Sequence, residues 1–548
     1  MADSRADDIL RQHASMESDR AVFEGHWREI EERISYKGRY FQNQTDTQGT
    51  KSTERIFDVT APLACDRFAA AMESMITPRT QRWHKLAPQT PELADDVDVM
   101  AWCDEVTDIL FAARYAPQAN FASQVHEAYW SIGAYGTGGI FVDDSLGRSM
   151  LYRAIHLSEL FVAEDMAGRI DKVHRRMRPT LRQIAQRFGA ESLPPKLRAM
   201  LDKAPETRTE VLHCVKPRED YDAARRDYRG KPWASYYVVC EGRAILEEGG
   251  YRTMPYCVGR YSTNPRETYG RGPGMLVLPE IKMLNEMRKT ILRAGQKAVD
   301  PPLLLPEDGL MRAFDLRAGA LNYGGVDANG NQLVQPLQTG GRLDIGLELL
   351  QDSQRVINEA FLVTLFQILV ETPQITATEA MLRAQEKGQL LAPTMGRTQG
   401  EMIGPCIERE LDILAAAGQL PPMPDALIEA GGMVEIMYES PLNRLQKSED
   451  GVGILRTLET LAPLAQVDPT VADVMDPEAA ARILAEVNGV PAKALRSPKR
   501  VQAIREGRAE QQEMSQLLQA APVAASTIKD LSAAQAQARN NPMPLAPP

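Results

Sequence analysis

The sequence predicts a mainly α-helical protein that contains one α+β unit and one small β-containing insert. Amphipathic helical patterns open the chain, and short strand patterns separated by turns follow them. After residue 270, a segment rich in glycine and proline separates two further helical patterns. The chain has 548 residues, enough for several hydrophobic cores, and a single domain of this length would be unusual.

The first half of the chain combines helices with antiparallel strands. Helical patterns cover residues 5–34, 60–76 and 92–116, and from residue 131 the pattern changes to short strands with turns. One helix, "TLRQIAQRFG", interrupts these strands. The strand patterns are "SMLYRAIHL", "LFVAED", "IDKVHRRMRP", "TEVLHCVKPR", "WASYYVVCEG" and "YCVGRYST". Helices followed by mostly antiparallel strands predict an α+β unit.

The strongest helical pattern of the chain covers residues 275–299 and has clear boundaries. Pro273 and Gly274 begin it, because proline suits the first turn of a helix. Pro301 and Pro302 end it, because proline breaks a helix interior. This helix is therefore predicted to connect two separate parts of the protein.

The second half contains further helices around the insert. Thr376 and Glu379 have the T-x-x-E spacing of a capping box, which predicts that a helix begins there. The predicted order is an insert at 301–341, a helix at 342–370, a third helix to about 417 with interruptions at Pro393 and Pro405, a strand in "MVEIMYES", small helices at 446–515 and a disordered tail at 516–548.

Composition restricts the classes of function. The formal net charge is −11, whereas a protein that grips nucleic acid tightly is normally basic. The six cysteines include no CxxC pair, which predicts reduced, buried thiols and assembly in a cytoplasm. The N-terminal "MADSRADDILRQ" lacks the apolar core of a signal peptide, and "FLVTLFQILV" is too short to span a bilayer. We therefore expect a soluble protein without a membrane partner.

The sequence contains no recognisable catalytic or metal-binding motif. It has no Walker A, G-x-S-x-G or H-E-x-x-H pattern, and its seven histidines are scattered. The glycine-rich "GAYGTGGIFV" and "YGRGPG" lack the spacing of phosphate loops, so we interpret them as tight packing at a strand turn. The basic "KVHRRMRPTLRQIAQR" could contact phosphate, although solvated cationic faces are the favoured interpretation. We expect no enzyme activity, cofactor or metal.

Two charge stripes of opposite sign lie on the helices that flank the insert. Steps of four and seven residues return to one helix face. The cationic stripe of the first helix is Lys282, Lys289, Arg293 and Lys297. The acidic stripe of the second helix is Asp344, Glu348, Asp352 and Glu359. In an antiparallel hairpin these residues fall level in reverse order, which predicts four ion pairs. The pattern does not separate a hairpin within one subunit from a hairpin repeated around a ring.

The chain resembles the portal, or head-to-tail connector, proteins of short-tailed bacteriophages, the podoviruses. The resemblance covers nearly the whole chain and depends on the order of its segments more than on any single motif. It is strongest at "RETYGRGPGMLVLPEIKMLNEMRKTILRAGQKAVDPPLL". Other similar segments are "GAYGTGGIFV", "ITATEAMLRAQEKG" and "ILRTLETLAPLAQVDPTVADVMD".

The resemblance implies the portal fold, a ring of about twelve copies around a central DNA channel. The implied parts are an N-terminal wing at 1–270, a first stem helix at 271–300, a clip at 301–341, a second stem helix at 342–370, a tunnel loop and long wing helix at 371–418, a wing return strand at 419–445, a helical crown at 446–515 and a flexible tail at 516–548.

The implied function is structural: a portal at one capsid vertex that passes DNA during genome packaging and ejection. The implied partners are double-stranded DNA without sequence specificity, the terminase large subunit, a tail adaptor, and the major capsid and scaffolding proteins. Thr372, Gln374 and Thr376 of the tunnel loop either contact DNA or only cap and connect helices. The cationic stripe either faces DNA or pairs with the acidic helix, and the matching levels favour pairing.

The implied place is the virion, after assembly in the host cytoplasm. Two alternatives are a ring-forming tail adaptor or scaffolding protein, and a soluble enzyme with an unrecognised site.

Overall fold

The computed structural model describes most of the first 299 residues and parts of the remainder. The described residues are 4–41, 51–94, 96–144, 150–299, 303–304, 329, 331, 335–336, 343–364, 395–439, 453–461, 463, 476–487, 500–501, 503–508 and 511. The predicted tail at 516–548 therefore lies outside them, as does most of the insert at 301–341.

The described elements are helices and short strands. The helices are α1 (Ser4–Arg33), α2 (Thr60–Ile76), α3 (Val97–Arg114), α4 (Phe121–Tyr135), α5 (Leu181–Phe188), α6 (Pro195–Lys203), α7 (Pro273–Leu276), α8 (Leu278–Val299), α9 (Leu343–Ala360), α10 (Gly404–Ala416), α11 (Asp425–Glu429) and α12 (Pro477–Val487). The strands are β1 (His84–Pro88), β2 (Thr137–Asp144), β3 (Met150–Ile155), β4 (Leu160–Glu164), β5 (Ile170–Met177), β6 (Val211–Pro217), β7 (Trp233–Val239), β8 (Ala244–Tyr251), β9 (Tyr256–Arg260), β10 (Leu303–Leu304), β11 (Gln335–Pro336) and β12 (Val434–Tyr438).

The mixture of helices and antiparallel strands confirms the predicted α+β character of the first half. Contacts divide the chain into two compact units. The first comprises Met1–Trp83, Ile109–Leu420 and Tyr438–Leu445, and the second comprises His84–Asp108, Pro421–Met437 and Gln446–Pro548. In the second unit, the amide of Leu86 donates to Thr107, and the indole of Trp102 donates to the carbonyl of Pro421.

The two larger antiparallel sheets lie in the first unit. One has five strands in the order β4-β5-β6-β7-β8, and the other has three in the order β3-β2-β9. Alternate residues of β6 and β7 point to opposite faces of the five-stranded sheet, as the period of a strand requires. Val211 and Val239 pack against α5 and α6, whereas Leu212 and Val238 pack against the start of α1. Helices therefore cover both faces of this sheet.

Buried arginines hold distant segments of the first unit together. The Arg20 side chain, fully buried on α1, donates to the carbonyls of Leu157 and Leu160 at 3.1 and 2.7 Å. Arg114 is equally buried, and its guanidinium Nε donates to the Glu410 carboxylate at 3.0 and 3.1 Å. Burial alone would lower the pKa of Arg114, but Glu410 holds that pKa above its ordinary value. Each of these charges is neutralised or fully hydrogen-bonded, as burial demands.

The two glycine-rich motifs of the sequence lie directly against each other. Gly136 ends α4 in the left-handed region, with φ of 85°. A Cβ atom on Gly136 would overlap the backbone of Gly270, Arg271 and Gly272, and one on Gly274 would overlap Ala134. The segments therefore touch backbone to backbone, which only glycine permits. We call this contact the glycine junction; it confirms the interpretation of both motifs as tight packing.

Hydrogen bonds complete the glycine junction and fix the start of α7 and α8. The amide of Tyr261 donates to the carbonyl of Gly136 at 2.9 Å. The amide of Gly270 donates to the hydroxyl of Thr137 at 2.9 Å. Pro273 and Gly274 are buried at the first turn of α7, as the sequence predicted for the start of this helical segment. The place where α8 leaves the body is thus set by backbone contacts.

The sequence patterns do not predict two helices of the first unit, α4 and α6. The strand patterns are predicted to begin at residue 131, but α4 continues to Tyr135. This helix is buried on nearly every side from Tyr129 onward, so it lacks the polar face that gives an amphipathic period. The predicted change of pattern was therefore placed about one helical turn too early.

Histidines are buried uncharged in the core of the first unit. The ring of His13 lies edge-on to Phe161 at 4.4 Å and stacked on His174 at 5.6 Å. Burial, with Arg176 nearby, lowers the pKa of His13 to about 4, and burial lowers the pKa of His156 to about 3. Within the described residues, His13 Nδ1 has no hydrogen-bond partner. Protonation of these rings therefore opposes folding.

The cysteines are free thiols, as predicted. All six are unpaired, and five of them are buried. Burial raises the pKa of Cys103 to about 11 and that of Cys214 to about 12, so both thiols stay protonated at neutral pH. No helix in the ranges described above is both long and apolar enough to cross a bilayer.

Replacing Gly136 with alanine should lower the free energy of unfolding by about 2–5 kcal/mol. The left-handed backbone and the overlap with Gly270 and Gly272 both oppose a Cβ atom there. Gly295→Ala is the matched control, because no described atom would touch a Cβ atom at that glycine in α8. The control should be neutral or stabilising by about 0.5–1 kcal/mol. Chemical denaturation measures both, and equal effects would contradict the glycine junction.

Acid should destabilise the first unit through His13. The unfolded ring binds a proton near pH 6.5, whereas the folded ring binds it near pH 4. The contribution of the neutral ring to the free energy of unfolding is therefore fully present above pH 6.5 and is lost as the pH falls toward 4. Each buried histidine should contribute a loss of about 1.4 kcal/mol for each pH unit in this window. Melting temperatures between pH 7 and 4 should show a shallower slope in His13→Leu than in the wild type.

The control for this experiment is His26→Leu, at an exposed histidine on the same helix. It should retain the wild-type slope. A His13→Leu slope equal to that of the wild type would show that His13 is not responsible for the acid sensitivity.

Candidate functional site on the paired helices α8 and α9

The helices α8 and α9 flank the insert and pack against each other in opposite directions. Near one end, Gly346 of α9 lies against the side chain of Ile291 of α8. Near the other end, Gln354 of α9 and Asn285 of α8 both hold Asp58. The predicted antiparallel hairpin is therefore confirmed. Between the helices, β10 and β11 pair antiparallel, with Leu303 opposite Pro336.

Each of the two helices buries one face. On α8 the buried side chains include Ile281, Leu284 and Asn285, at the spacing of one helix face. On α9 they are Leu350, Ser353 and Ile357. Phe361 continues this face, and its ring packs against Phe68 of α2 at 6.4 Å.

A buried amide connects α8 to the start of α2. Asn285 Oδ1 accepts hydrogen bonds from the amides of Phe57 and Asp58 at 2.7 and 3.1 Å. Its Nδ2 donates to the carbonyl of Ile281 at 2.8 Å. Asn285 is 4% exposed, so each of these polar groups depends on a partner within the protein. The amide therefore acts as the main polar connection between α8 and the body.

Asp58 joins the same connection to α9 and α2. One carboxylate oxygen accepts from Gln354 at 2.9 Å, and the other accepts from the amide of Thr60 at 2.9 Å. Sequence reasoning did not identify Asn285, Asp58 or Gln354. The signal for Asn285 was present, because a single amide interrupts the apolar face of Ile281 and Leu284.

The cationic stripe makes its contacts away from α9. Lys282 pairs with Glu29 of α1, and this hydrogen bond lowers the pKa of Glu29. Lys289 lies 3.4 Å from Glu286 of its own helix and 5.5 Å from the Phe57 ring centroid. Arg293 is exposed and forms no ion pair with any described residue. The side chain of Lys297 lies outside the description.

The acidic stripe is exposed on the side of α9 that faces away from the buried one. Glu348, Asp352 and Glu359 are all exposed, and Asp352 pairs with Arg355 on the same face. At about 100° per residue, these three acids lie roughly opposite Leu350 and the rest of the buried face. The side chain of Asp344 is outside the description.

The predicted ion pairs between the two helices are therefore wrong for the pairs whose side chains are described. Lys282 with Glu359, Lys289 with Asp352, and Arg293 with Glu348 do not meet. The prediction matches the positions of charged residues along the two helix axes. An ion pair also requires that both side chains face the partner helix. The fourth predicted pair, Lys297 with Asp344, lies outside the described side chains.

The register of the hairpin also differs from the predicted one. The predicted levels place Gly346 beside Gly295, whereas Gly346 lies against Ile291, four residues away. This shift corresponds to about one helical turn.

The second helix of the hairpin is shorter than predicted. The sequence predicts one helix over 342–370, but α9 ends at Ala360. Leu362 has a left-handed φ of 60°, which interrupts the helix, and Phe361 and Val363 turn into the core. Core packing of these apolar side chains outweighs the backbone cost of about 1–2 kcal/mol. Thr372, Gln374 and Thr376 lie outside the described residues, as does the predicted capping box at Thr376 and Glu379.

The third helix of the second half ends close to its predicted limit. The chain is helical from residue 395, passes through a π-helical turn at Gln399–Ile403, and continues as α10 to Ala416. The turn precedes Pro405, one of the predicted interruptions, and a missing amide at that position favours such a local change.

The basic segment at 172–187 is used for pairing within the protein. Arg175 pairs with Glu159 at 3.0 Å, and Arg182 pairs with Glu206 at 2.7 Å. These contacts agree with the interpretation of the segment as a strand and helix with cationic faces. A search of the described side chains finds no cluster of histidine, cysteine and carboxylates suited to a metal ion.

Replacing Asn285 with alanine should lower the free energy of unfolding by about 2–4 kcal/mol. The change leaves the half-buried amide of Phe57 and the buried amide of Asp58 without acceptors, at about 1–3 kcal/mol each before relaxation. Asn358→Ala on α9 is the matched control, because that half-buried amide makes one local hydrogen bond, to the Gln354 carbonyl. The control should cost about 1 kcal/mol or less. Denaturant titration of both variants measures the difference, and equal losses would contradict the role of Asn285.

Similarity to known proteins extends over nearly the whole chain. The sequence profile of the family "Bacteriophage head to tail connecting protein" matches residues 6–495. The portal protein of Salmonella phage epsilon15 is 28% identical over 551 residues, which cover 98% of this chain and 97% of that protein. The probable portal protein of Bordetella phage BPP-1 is 26% identical over 513 residues, which cover 93% and 92% of the two chains.

A solved structure, the virion of a native gene transfer agent particle, contains a chain with 10% identity to this one. The superposition covers 76% of this chain and 91% of the particle's chain. Its TM-score of 0.34 is too low to support an argument about the fold. The family profile matches far more than half of the sequence. The resemblance found in the sequence is thereby confirmed: this chain belongs to the family of bacteriophage proteins that connect the head to the tail, the portal proteins.

Proposed function

We propose that this chain is the structural subunit of a portal ring of about twelve copies at one capsid vertex. The observation that supports this most strongly is the similarity to the epsilon15 portal protein, which covers 98% of this chain and 97% of that one. In this role the ring forms the channel through which the genome enters the capsid and later leaves it.

The parts of the ring are proposed from the order of the segments. Residues 1–270 form most of the wing, 301–341 form the clip and 446–515 form the crown. The hairpin of α8 and α9 is the stem between wing and clip. Two described features support this assignment: the glycine junction fixes the start of the stem in the body, and Asn285 attaches α8 to the beginning of α2. A stem that transmits force between two bodies needs such a rigid attachment.

The proposed contacts with DNA are weak and independent of sequence. Every copy has a formal charge of −11, so an assembled ring would be strongly acidic and would not hold the phosphate backbone tightly. A channel that binds DNA tightly could not let it pass. Thr372, Gln374 and Thr376, in the proposed tunnel loop, are polar and uncharged, which suits transient contact with DNA.

The proposed protein partners follow from the place of the ring. The clip binds the terminase large subunit during packaging and the tail adaptor afterwards, and the wing contacts the major capsid and scaffolding proteins. The ring itself has no enzymatic role, because the sequence contains no Walker A motif and the packaging ATPase is therefore a different chain. A tail adaptor is less well supported than a portal, because the match to portal proteins extends over their full length.

Negative-stain electron microscopy of the purified full-length chain should show rings with a central hole and about twelve-fold symmetry. The symmetric, channel-forming arrangement is expected because each copy contributes one stem hairpin to a common axis. Mass photometry on the same sample should give a dominant species of about twelve subunits. Compact closed particles without a channel would contradict the proposed function.

A further inference from the structure

The outer face of α9 combines acidic and apolar side chains that nothing in the described chain covers. Leu349 and Val356 are 55% and 40% exposed, so this face carries aliphatic area as well as charge. Asp352 and Glu359 lie between and beyond them on the same face, since the positions follow one another at steps of three and four. Glu348 is exposed beside them. We call these five residues the acidic outer face.

The outer part of α8 carries two cations, the half-buried Lys289 and the exposed Arg293, beside the exposed carboxylate of Glu286. Among the described residues, Arg293 is exposed without an ion pair, and Glu286 of the same helix is the one carboxylate that pairs with Lys289. Met283, on this helix, is 48% exposed. Lys282 does not belong to this set, because it pairs with Glu29 of another helix, α1, whereas the partner of Lys289 lies three residues away on α8 itself. Lys289, Arg293 and Met283 form what we call the cationic edge.

The two surfaces cannot meet within one chain. The acidic outer face is turned roughly opposite the side of α9 that packs on α8 and the body. The Asp352 carboxylate pairs only locally, with Arg355 three residues away. Complementary charges on different sides of one hairpin therefore remain available for a second molecule.

A second copy of this chain satisfies both surfaces at once. Each copy presents one acidic outer face and one cationic edge, so the contact is head-to-tail and each copy leaves both surfaces open for further copies. Such a contact closes into a ring when the rotation between neighbours divides a full turn. DNA would match the cationic edge but would repel the acidic outer face.

We propose that the acidic outer face of one copy docks on the cationic edge of its neighbour. This inference rests on the proposed function and names the contact that joins adjacent copies. The three acids of the outer face approach Lys289 and Arg293, while Leu349 and Val356 supply apolar area to the same contact. Each exposed ion pair contributes only about 0–1 kcal/mol, but the pairs select the register and the partner. The same contact recurs at every interface of the ring. A small change in the free energy of each ion pair is therefore multiplied by the number of interfaces.

Two charge-reversal variants test this contact. The first, E348K/E359K, makes both surfaces of the hairpin basic, and the second, K289E/R293E, makes both acidic. Either variant alone should lose at least about tenfold of its ring population in sedimentation velocity, because like charges meet at every interface. An equimolar mixture should recover rings, since each variant then finds its complement in the other and the two alternate.

The control carries the same change of charge outside the paired helices. E206K/E219K reverses two exposed carboxylates, on residues 63% and 87% exposed that lie next to α6 and β6. It should form rings like the wild type. Circular dichroism and the melting temperature of each variant establish that the separate chains are folded before they are mixed.

The outcomes distinguish the contact from the proposed function. Rings formed by either single variant, or folded variants whose mixture fails to recover rings, overturn the docking of these two surfaces while the wild-type ring stands. A wild type that forms no rings under the same conditions overturns the proposed function and this contact together. Recovery only in the mixture, with alternating subunits, supports the contact directly.

Discussion

Close contact between two glycine-rich backbones is the constraint on which the arrangement of this protein depends. Gly136 and Gly272 are far apart in sequence, yet no side chain separates their backbones. Because a single Cβ atom would push the segments apart, the end of α4 and the start of α7 have one possible spacing. The direction in which α8 leaves the body follows from that spacing. Both motifs thus serve geometry, and neither needs a ligand.

A second attachment further along α8 fixes the direction of the helix axis. The Asn285 amide holds the backbone of Phe57 and Asp58, and Asp58 in turn holds Gln354 of α9. Two attachments on one helix define its axis, whereas one would leave it free to pivot. These bonds are buried or half-buried and mostly made by neutral groups, so salt has little effect on them, in contrast to exposed ion pairs.

Most elements could be predicted because burial of one face leaves apolar residues at regular intervals in the sequence. The helix at 60–76 matches α2, and the strand patterns from "SMLYRAIHL" to "YCVGRYST" match strands β3, β4, β5, β6, β7 and β9. Two of the exceptions lack that period. The helix α4 is buried on nearly all sides, and β8 combines a mostly half-buried pattern with Gly249 and Gly250. A periodic pattern arises where one face of an element is apolar and the other is polar. An element without that difference is therefore not detected from the sequence.

The charged residues of the paired helices show a different limit. Spacing alone placed Glu348, Asp352 and Glu359 on one face, but it could not tell which way that face points, because this depends on what the other side buries. In the structure Leu350 and its neighbours take the inner side, and the acids are left outside. Opposite charges on different sides of a hairpin contribute little to the stability of a single chain. They are well placed for association between chains, so folding and assembly of this protein can depend on different residues of the same two helices.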